Sequence, residues 1–199
     1  MKRIIAYSSI GHMTLIILGL FSLTLTGFIG SIFLMISHGL ISSALFFLIG
    51  FLYHRFHQRI IIYFSGLATI MPIFTIFLFY FSLSNIAFPL TIGFISEFLC
   101  LTGILSINFF LGVIVVCSIV LTTVYSILLF SRVCFGLLKP WLNILVLNQL
   151  MSSKFRTNYF DLQIFELHII YLLVVLTFFF GIYPNNLLQY LLFYVQSII

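Results

Sequence analysis

The strongest constraint on the fold is an apolar stretch, residues 69–106, that is interrupted by a proline and followed by a carboxylate. Each apolar flank has about 15 residues, fewer than the roughly 20 that an α-helix needs to cross a bilayer. Between them, Pro89 removes a backbone donor and disfavours one continuous helix. We therefore expect a single crossing made of two half-helices. Glu97 would then lie just past the break, near the centre of the membrane.

A break at that depth restricts what can surround it. Irregular backbone inside a bilayer is tolerated only where it is buried in protein or lines a watery cavity. An ionisable side chain beside such a break is a functional candidate for the same reason. The sequence therefore points to Glu97 as the first residue to explain.

The composition around this stretch identifies the class of protein. The 199 residues are 63% hydrophobic and 6% charged, whereas a soluble domain carries about 25% charged residues. We expect an all-α integral membrane protein, a single transmembrane domain over residues 1–199, with about five transmembrane helices. The predicted crossings are 4–25, 26–53, 69–106 (the third, broken near Pro89), 108–130 and 167–192, with one long loop over 132–166.

Charge placement supports a single broken crossing. The chain has eight Lys and Arg against three acids, a net charge of +5. It has neither a clustered basic face nor a soluble domain, so nucleic acid is not an expected partner. If residues 69–106 cross once, all eight positive charges fall on one side of the membrane, as the positive-inside rule prefers. If they cross twice, the charges divide between both sides.

The sequence indicates no metal and no cofactor. Its three cysteines are scattered and form no CxxC pair, so buried, reduced thiols are expected. His54 and His57 are three residues apart in a predicted polar loop, 54–59. They lack an accompanying cysteine or carboxylate, which favours a wetted surface loop over a metal site. Glycine-rich phosphate loops and nucleophile triads are also missing from the sequence.

His12, His38 and Glu97 are the candidate site. They are the ionisable residues, apart from tyrosines, expected well inside the bilayer, where an unpaired charge costs several kcal/mol. Histidine titrates near neutrality, and a carboxyl group in an apolar site can also take up and release a proton. Three such groups on three helices suggest a proton relay. The alternative is that each histidine is neutral and hydrogen-bonded to a serine on a neighbouring helix.

Three local features have simpler predicted roles. Gly27 and Gly30 are expected in the turn between the first two helices. Asp161 and Glu166 are expected to favour the start of the last helix through its dipole. The sequence 181–184, Gly-Ile-Tyr-Pro, predicts a kink or an early end of that helix.

Several motifs resemble one family. Residues 2–13, KRIIAYSSIGHM, are similar to the KRLIAYSSxxHM stretch of the antiporter-like subunits of respiratory complex I. Residues 37–46, SHGLISSALF, resemble subunit 4 of NADH dehydrogenase (ubiquinone), since the sister subunit 5 usually has a lysine in place of Ser43. The stretch from Asn85 to Phe98 resembles the NLALP…FxGEF of subunit 4. Ser96 departs from the glycine that is usual there, which bears on packing of the half-helix.

The resemblance implies a function that composition alone does not give. It implies a proton-translocating fragment of a mitochondrial complex I membrane-arm subunit, a multi-pass protein of the inner membrane. The fragment would form part of a half-channel coupled to NADH:ubiquinone oxidoreduction and would carry no redox site. His12 and His38 would be relay groups, and Glu97 the terminal carboxyl. The alternatives are a component of a multisubunit cation/proton antiporter and a purely structural membrane-arm fragment.

The resemblance covers the C-terminal part of the sequences in this family. The family's earlier half holds an intramembrane pair, one Glu and one Lys, and a further central Lys. None of these residues has a counterpart in this sequence. We therefore expect a separately encoded half of a split subunit. Its partners would be other membrane-arm subunits and a separate chain of about 250–300 residues, sized from roughly nine further crossings, that supplies the N-terminal half.

Overall fold

The computed structural model describes residues 1–142, 144 and 161–196, and these form helices and connecting turns. Residues 145–160, with Lys154 and Arg156 of the predicted long loop, lie outside the described residues. Four helices are long and apolar enough to cross a membrane, and two shorter apolar helices follow one another in the middle of the described chain. The helices are α1 (Lys2–Phe21), α2 (Leu25–Phe56), α3 (Leu67–Ile70), α4 (Pro72–Asn85), α5 (Ile92–Ile107), α6 (Phe109–Cys134), α7 (Ile164–Ile182) and α8 (Asn185–Gln196).

Helix α2 is the centre of the bundle. Its 32 residues contact α1, α4, α5, α7 and α8. It begins where the Thr24 hydroxyl accepts a hydrogen bond from the Gly27 amide at 3.2 Å. It ends at Phe56, with His57 in a left-handed conformation after it. The predicted polar loop 54–59 is therefore wrong in its first three residues, which form the last turn of α2.

Glycines allow α2 to approach α5 closely. A Cβ atom at Gly30 would lie 2.6 Å from the amide nitrogen of Cys100, and one at Gly103 would overlap the backbone of Gly27. The prediction that Gly27 and Gly30 form the turn between the first two helices is wrong. The turn is residues 22–24, where Leu23 adopts a φ of 50°. Both glycines instead remove side chains from a helix–helix contact.

The two half-helices α4 and α5 lie one after the other along α2. Near the start of α5, Gly93 lies close to Ile41 of α2. Near the end of α5, Gly103 contacts Gly27, close to the start of α2. Helix α4 instead shares a core with the C-terminal half of α2, through Leu78 and Leu45 among others. The two half-helices touch each other little compared with their contacts to α2. The predicted break near Pro89 is confirmed, and it lies about halfway along α2.

The break, residues 86–91, has an irregular backbone. Ala87 and Leu90 have φ values of 59° and 76°, a left-handed conformation that costs an L-residue roughly 1–2 kcal/mol. The Thr91 hydroxyl donates to the Phe88 carbonyl at 2.7 Å, which satisfies one acceptor that helical pairing leaves open. Gly181 of α7 lies directly against Leu90, with no room for a Cβ atom. The break is therefore enclosed by protein on the α7 side.

Charged residues fasten the start of α4 and of α7 to the end of α2. The Asp161 carboxylate accepts hydrogen bonds from the amides of Ile73 and Phe74 at 2.8 and 3.0 Å, so it caps α4. Arg55 donates to both carboxylate oxygens of Glu166 and to the Asp161 carbonyl. The expectation that these two acids act only through the dipole of the last helix is wrong for Asp161, which caps a different helix. Glu166 does lie in the first turn of α7, in a capping box with Gln163.

The described basic residues gather at one end of the bundle. At this end α1 begins, α2 and α6 end, and the Gly66 amide donates to the Phe135 carbonyl. The turns at 22–24 and at 108 lie at the other end, which has no Lys or Arg among the described residues. Helix α7 ends at Ile182, and α8 follows after Pro184. The basic residues of the first end are Lys2, Arg3, Arg55, Arg59, Arg132 and Lys139.

Candidate proton-relay site

The structure brings the three predicted site residues together. His12 of α1, His38 of α2 and Glu97 of α5 meet beside the break, and each is buried, with 8%, 7% and 6% of its surface exposed. The Nδ1 atom of His12 lies 3.2 Å from the Oε1 atom of Glu97. The two imidazole rings have centroids 5.3 Å apart, with planes inclined at 33°. Three helices thus contribute one titratable group each to a single cluster.

A pair of serines sets the register of this cluster. Ser37 and Ser96, each immediately before a site residue, are hydrogen-bonded through their hydroxyls at 3.2 Å. Ser96 also donates to the Gly93 carbonyl at 2.8 Å and is fully buried. Because this contact joins α2 to α5, it fixes the levels at which His38 and Glu97 emerge. Ser96, the departure from the family pattern, therefore adds a polar link between these helices.

The contact made by His12 differs from the serine-bonded alternative. The Nδ1 atom of His12 contacts a carboxylate. The nearby Ser8 and Ser37 hydroxyls donate to carbonyls of their own helices, those of Ile5 and Leu34. A histidine in contact with a carboxylate can exchange a proton with it along a hydrogen bond. The arrangement is therefore chemically suited to proton transfer.

Two buried polar atoms beside the cluster lack a partner among the described residues. They are the Nε2 atom of His12 and the hydroxyl oxygen of Ser84, at the end of α4. Both residues line a cavity of about 10 Å³, which Asn85, His38 and Glu97 also border. This is about the room for one water molecule, and buried polar atoms without partners are where buried water is found. A water here would extend the cluster from α5 to α4.

A second cavity continues from the first towards the basic end. It has a volume of about 30 Å³ and shares Asn85 with the first cavity, while Ser8, Ser82 and Tyr125 add polar groups to its wall. It shares Tyr125 in turn with an open cleft between the ends of α1 and α6. Polar side chains therefore follow one another from Glu97 to the surface at the basic end.

The other candidate ligands lie elsewhere. His54 and His57 are exposed at the end of α2, about four helical turns from His38 along the chain. Within the described part of the chain, no group of three His, Cys, Asp or Glu residues could hold a metal ion. The cysteines at 100, 117 and 134 are free thiols, of which Cys117 is exposed.

Sequence reasoning missed Ser84 and Asn85 as part of the site. Both precede Pro89 at the end of a half-helix, and the sequence assigned them only to the break. Their position offered one signal, because polar residues at the end of an interrupted membrane helix face either other protein groups or a water-filled cavity. Sequence alone could not show which neighbour they would face.

The sequence of this chain is similar to that of several known proteins. A family profile described as NADH:quinone oxidoreductase/Mrp antiporter, TM, matches residues 1–122. The NADH-ubiquinone oxidoreductase chain 4 of Acanthamoeba castellanii is 52% identical over 136 residues, which are 68% of this chain and 27% of that protein. Chain 4 of Chondrus crispus is 41% identical over 189 residues, 95% of this chain and 36% of that protein. The chain thus spans about a third of the length of such relatives.

A solved structure shares the fold. A chain of "Respiratory complex I from Thermus thermophilus with bound NADH" superposes with a TM-score of 0.84 at 24% sequence identity. The superposition covers 99% of this chain and 38% of that one. At this identity the match concerns the fold alone, which is that of part of one chain in the Thermus complex.

Proposed function

Because its residues 1–122 match the family profile, this chain belongs to the NADH:quinone oxidoreductase/Mrp antiporter transmembrane family, and we propose that it forms part of a proton half-channel. The half-channel would serve the membrane arm of a respiratory complex I that oxidises NADH and reduces ubiquinone. The observation that carries the proposal is the buried contact of 3.2 Å between His12 and Glu97 beside the broken crossing. The redox chemistry itself belongs to other subunits.

In the proposed relay, Glu97 and His12 exchange a proton directly. His38 is the proposed second relay histidine, and its ring centroid lies 5.3 Å from that of His12. From His12 the proton passes to water held near the Ser84 hydroxyl, and then past Asn85 into the second cavity. The first step spans 3.2 Å, and the later steps would run through water in the two cavities that share Asn85.

The experiment that tests the relay is Glu97→Gln. Glutamine keeps the shape of the side chain but has no titrating proton, so proton pumping by the assembled complex should fall strongly. The measurement is the ratio of protons pumped to electrons transferred in reconstituted vesicles. The matched control is Asn108→Asp, which changes a polar group at the exposed turn between α5 and α6 and should leave the ratio unaltered. Unchanged pumping with Glu97→Gln would refute the relay.

The second candidate is a multisubunit cation/proton antiporter, because the family description covers both kinds of assembly. The names of the relatives favour the first, since each quoted relative is a chain of NADH-ubiquinone oxidoreductase. Purification decides between them. Co-purification of this chain with NADH-oxidising activity supports a complex I, whereas ion exchange without NADH oxidation supports the antiporter.

We include the organelle and the partner in the same proposal. The names of the relatives support the mitochondrial inner membrane, where this chain would contact other membrane-arm subunits. The proposal also includes a companion polypeptide that carries an intramembrane Glu and at least two Lys, groups of the family's earlier half that have no counterpart in this sequence. Mass spectrometry of the intact membrane complex tests this. A complex with no such lysine-bearing companion chain would contradict it.

A further inference from the structure

A buried stripe on α7 meets the broken crossing on both sides of its break. The stripe consists of residues spaced three or four apart, Ile170, Leu173, Thr177 and Gly181. Thr177 is fully buried, and its hydroxyl oxygen lies 3.0 Å from the hydroxyl oxygen of Tyr80 on α4. One turn later, Gly181 lies against the Leu90 carbonyl. Two consecutive turns of α7 therefore touch the end of α4 and the break.

The hydrogen bond between these two hydroxyl groups has a defined direction. Each hydroxyl group carries one proton to donate. The Thr177 hydroxyl uses its proton within α7, where the carbonyl oxygens of Leu173 and Val174 both lie 3.0 Å away. Tyr80 is therefore the donor and Thr177 the acceptor. Removing the Tyr80 hydroxyl would abolish this bond without changing the aromatic ring.

Helix α7 is itself attached to the helices that carry two of the relay groups. It packs against α2 and α5, and Glu166 in its first turn is paired with Arg55 of α2. The end of α4 has few direct contacts with α5. Through α7, the Tyr80 hydroxyl therefore ties the end of α4 to the helices of His38 and Glu97.

The tie lies one helical turn from a polar group of the relay site. Tyr80 and Ser84 are four residues apart, so their side chains leave α4 on nearly the same face. The Ser84 hydroxyl borders the small cavity together with His12 and Glu97. A rotation of α4 about its axis would turn this hydroxyl away from the cavity. The Ser82 hydroxyl cannot oppose such a rotation, because it donates to a carbonyl of its own helix.

We propose that Tyr80 and Thr177 are positioning residues for the relay. Their hydrogen bond holds α4 at the rotation where the Ser84 hydroxyl faces His12. This role rests on the proposed relay, in which water near Ser84 receives the proton from His12. Neither Tyr80 nor Thr177 exchanges the proton, and both act through Ser84.

The test measures the ratio of protons pumped to electrons transferred in vesicles that contain the proposed complex. Tyr80→Phe and Thr177→Val each remove one hydroxyl with little change of shape. Each should lower the ratio to a value between those of the parent and of Glu97→Gln. Thr177→Ser keeps the accepting hydroxyl and should pump as the parent does. The double variant of Tyr80→Phe and Thr177→Val should match either single variant, because the same bond is lost in all three.

The matched control is Tyr171→Phe, which removes a tyrosine hydroxyl from the exposed face of α7 and should leave the ratio unaltered. A purely structural role would lower the yield of assembled complex, whereas the ratio counts only complex that turns over. A parental ratio in both Tyr80→Phe and Thr177→Val would overturn the positioning role, and the relay would stand if Glu97→Gln still lowered the ratio. Equal losses in Thr177→Ser and Thr177→Val would also overturn it, since packing and not the hydroxyl would then matter. A parental ratio in Glu97→Gln would refute the relay, and the positioning role with it.

Discussion

At the scale of single residues, His12 and Glu97 depend on each other because both are buried and few polar groups surround them. A carboxylate taken out of water is tolerated when a partner compensates its charge, and removal of one partner from a buried pair costs about 3–5 kcal/mol. Among the described residues, the His12 imidazole contacts the Glu97 carboxyl group, at 3.2 Å. The stability of the site and its proposed chemistry thus rest on the same contact.

This dependence gives a prediction for a double variant. His12→Leu should destabilise the complex by up to about 3–5 kcal/mol, the cost of burying a carboxylate that has lost its partner. Adding Glu97→Gln should recover much of that loss, because the remaining side chain is neutral. The measurement is the midpoint of thermal unfolding of the purified complex for the two single variants and the double one. Strictly additive shifts would show that the two residues do not interact.

The sequence was sufficient to nominate the residues of this cluster but not its shape. His12, His38 and Glu97 stand out because ionisable residues are rare within apolar runs. Their contact depends on the rotation of α1 and α5 about their axes, which Ser37 and Ser96 help to fix. A hydrogen bond between residues 59 positions apart has no periodic signal in one sequence. The roles of Ser84 and Asn85 were hidden for the same reason.

At the scale of helices, the seam between α2 and α5 is the most extensive helix–helix contact among the described residues. Gly30 and Gly103 remove side chains where the two backbones approach, and Ser37 bonds to Ser96 further along. Small residues are common in membrane-helix contacts, because hydrocarbon offers no hydrophobic driving force and close backbone packing takes its place. This seam holds Glu97 at the level of His38.

We predict that Gly30→Ala damages this seam. The added methyl group would lie 2.6 Å from the Cys100 amide nitrogen, so α5 must move away, at a cost of about 1–3 kcal/mol. Gly50→Ala is the control on the same helix. Its methyl group meets nothing within 4 Å, and alanine is a better helix former by up to about 1 kcal/mol.

If the chain belongs to the proposed complex, the measurement is the midpoint of thermal inactivation of the NADH:quinone activity of that purified complex. Gly30→Ala should lower it, and Gly50→Ala should leave it equal or slightly raised. If both variants behave alike, the close approach of α2 and α5 in the structure is wrong.

Fold class was predictable because it depends on composition and run length, whereas helix ends depend on local contacts. The all-α membrane class and the break near Pro89 followed from apolar runs and one proline. The first two crossings were expected at 4–25 and 26–53, and the helices there are Lys2–Phe21 and Leu25–Phe56. Their turn was assigned to Gly27 and Gly30, since glycine in a single sequence indicates a turn as readily as close packing. Likewise, the role of Asp161 as a cap on α4 depends on a contact across 88 residues of chain.

At the scale of the whole molecule, the two ends of the bundle differ in charge. The basic end includes Lys2, Arg55 and Arg132, while the end with the turns at 22–24 and 108 has no Lys or Arg among the described residues. The positive-inside rule assigns the basic end to the side from which the protein is inserted. In a mitochondrion this is the matrix side.

Thiol labelling tests this orientation. Gln58→Cys and Lys139→Cys, both at the basic end, should react with a membrane-impermeant maleimide from the same face of sealed vesicles. Asn108→Cys, at the other end, should react only from the opposite face. A background in which Cys117 is replaced by serine removes the exposed native thiol. Labelling of Gln58→Cys and Lys139→Cys from opposite faces would mean that residues 69–106 cross the membrane twice.

The break at residues 86–91 also has a mechanical consequence. An unbroken helix is a stiff rod that transmits an axial push to its far end, because every turn is hydrogen-bonded to the next. Here α4 is held at its start by Asp161 and ends at Asn85, while α5 is held against α2. A displacement that enters through Asp161 would reach α5 through the irregular backbone of the break and the contact of Gly93 with the Ser84 carbonyl, not along a continuous helical hydrogen-bond ladder. The gap between Asn85 and Glu97 can then change without bending either half-helix.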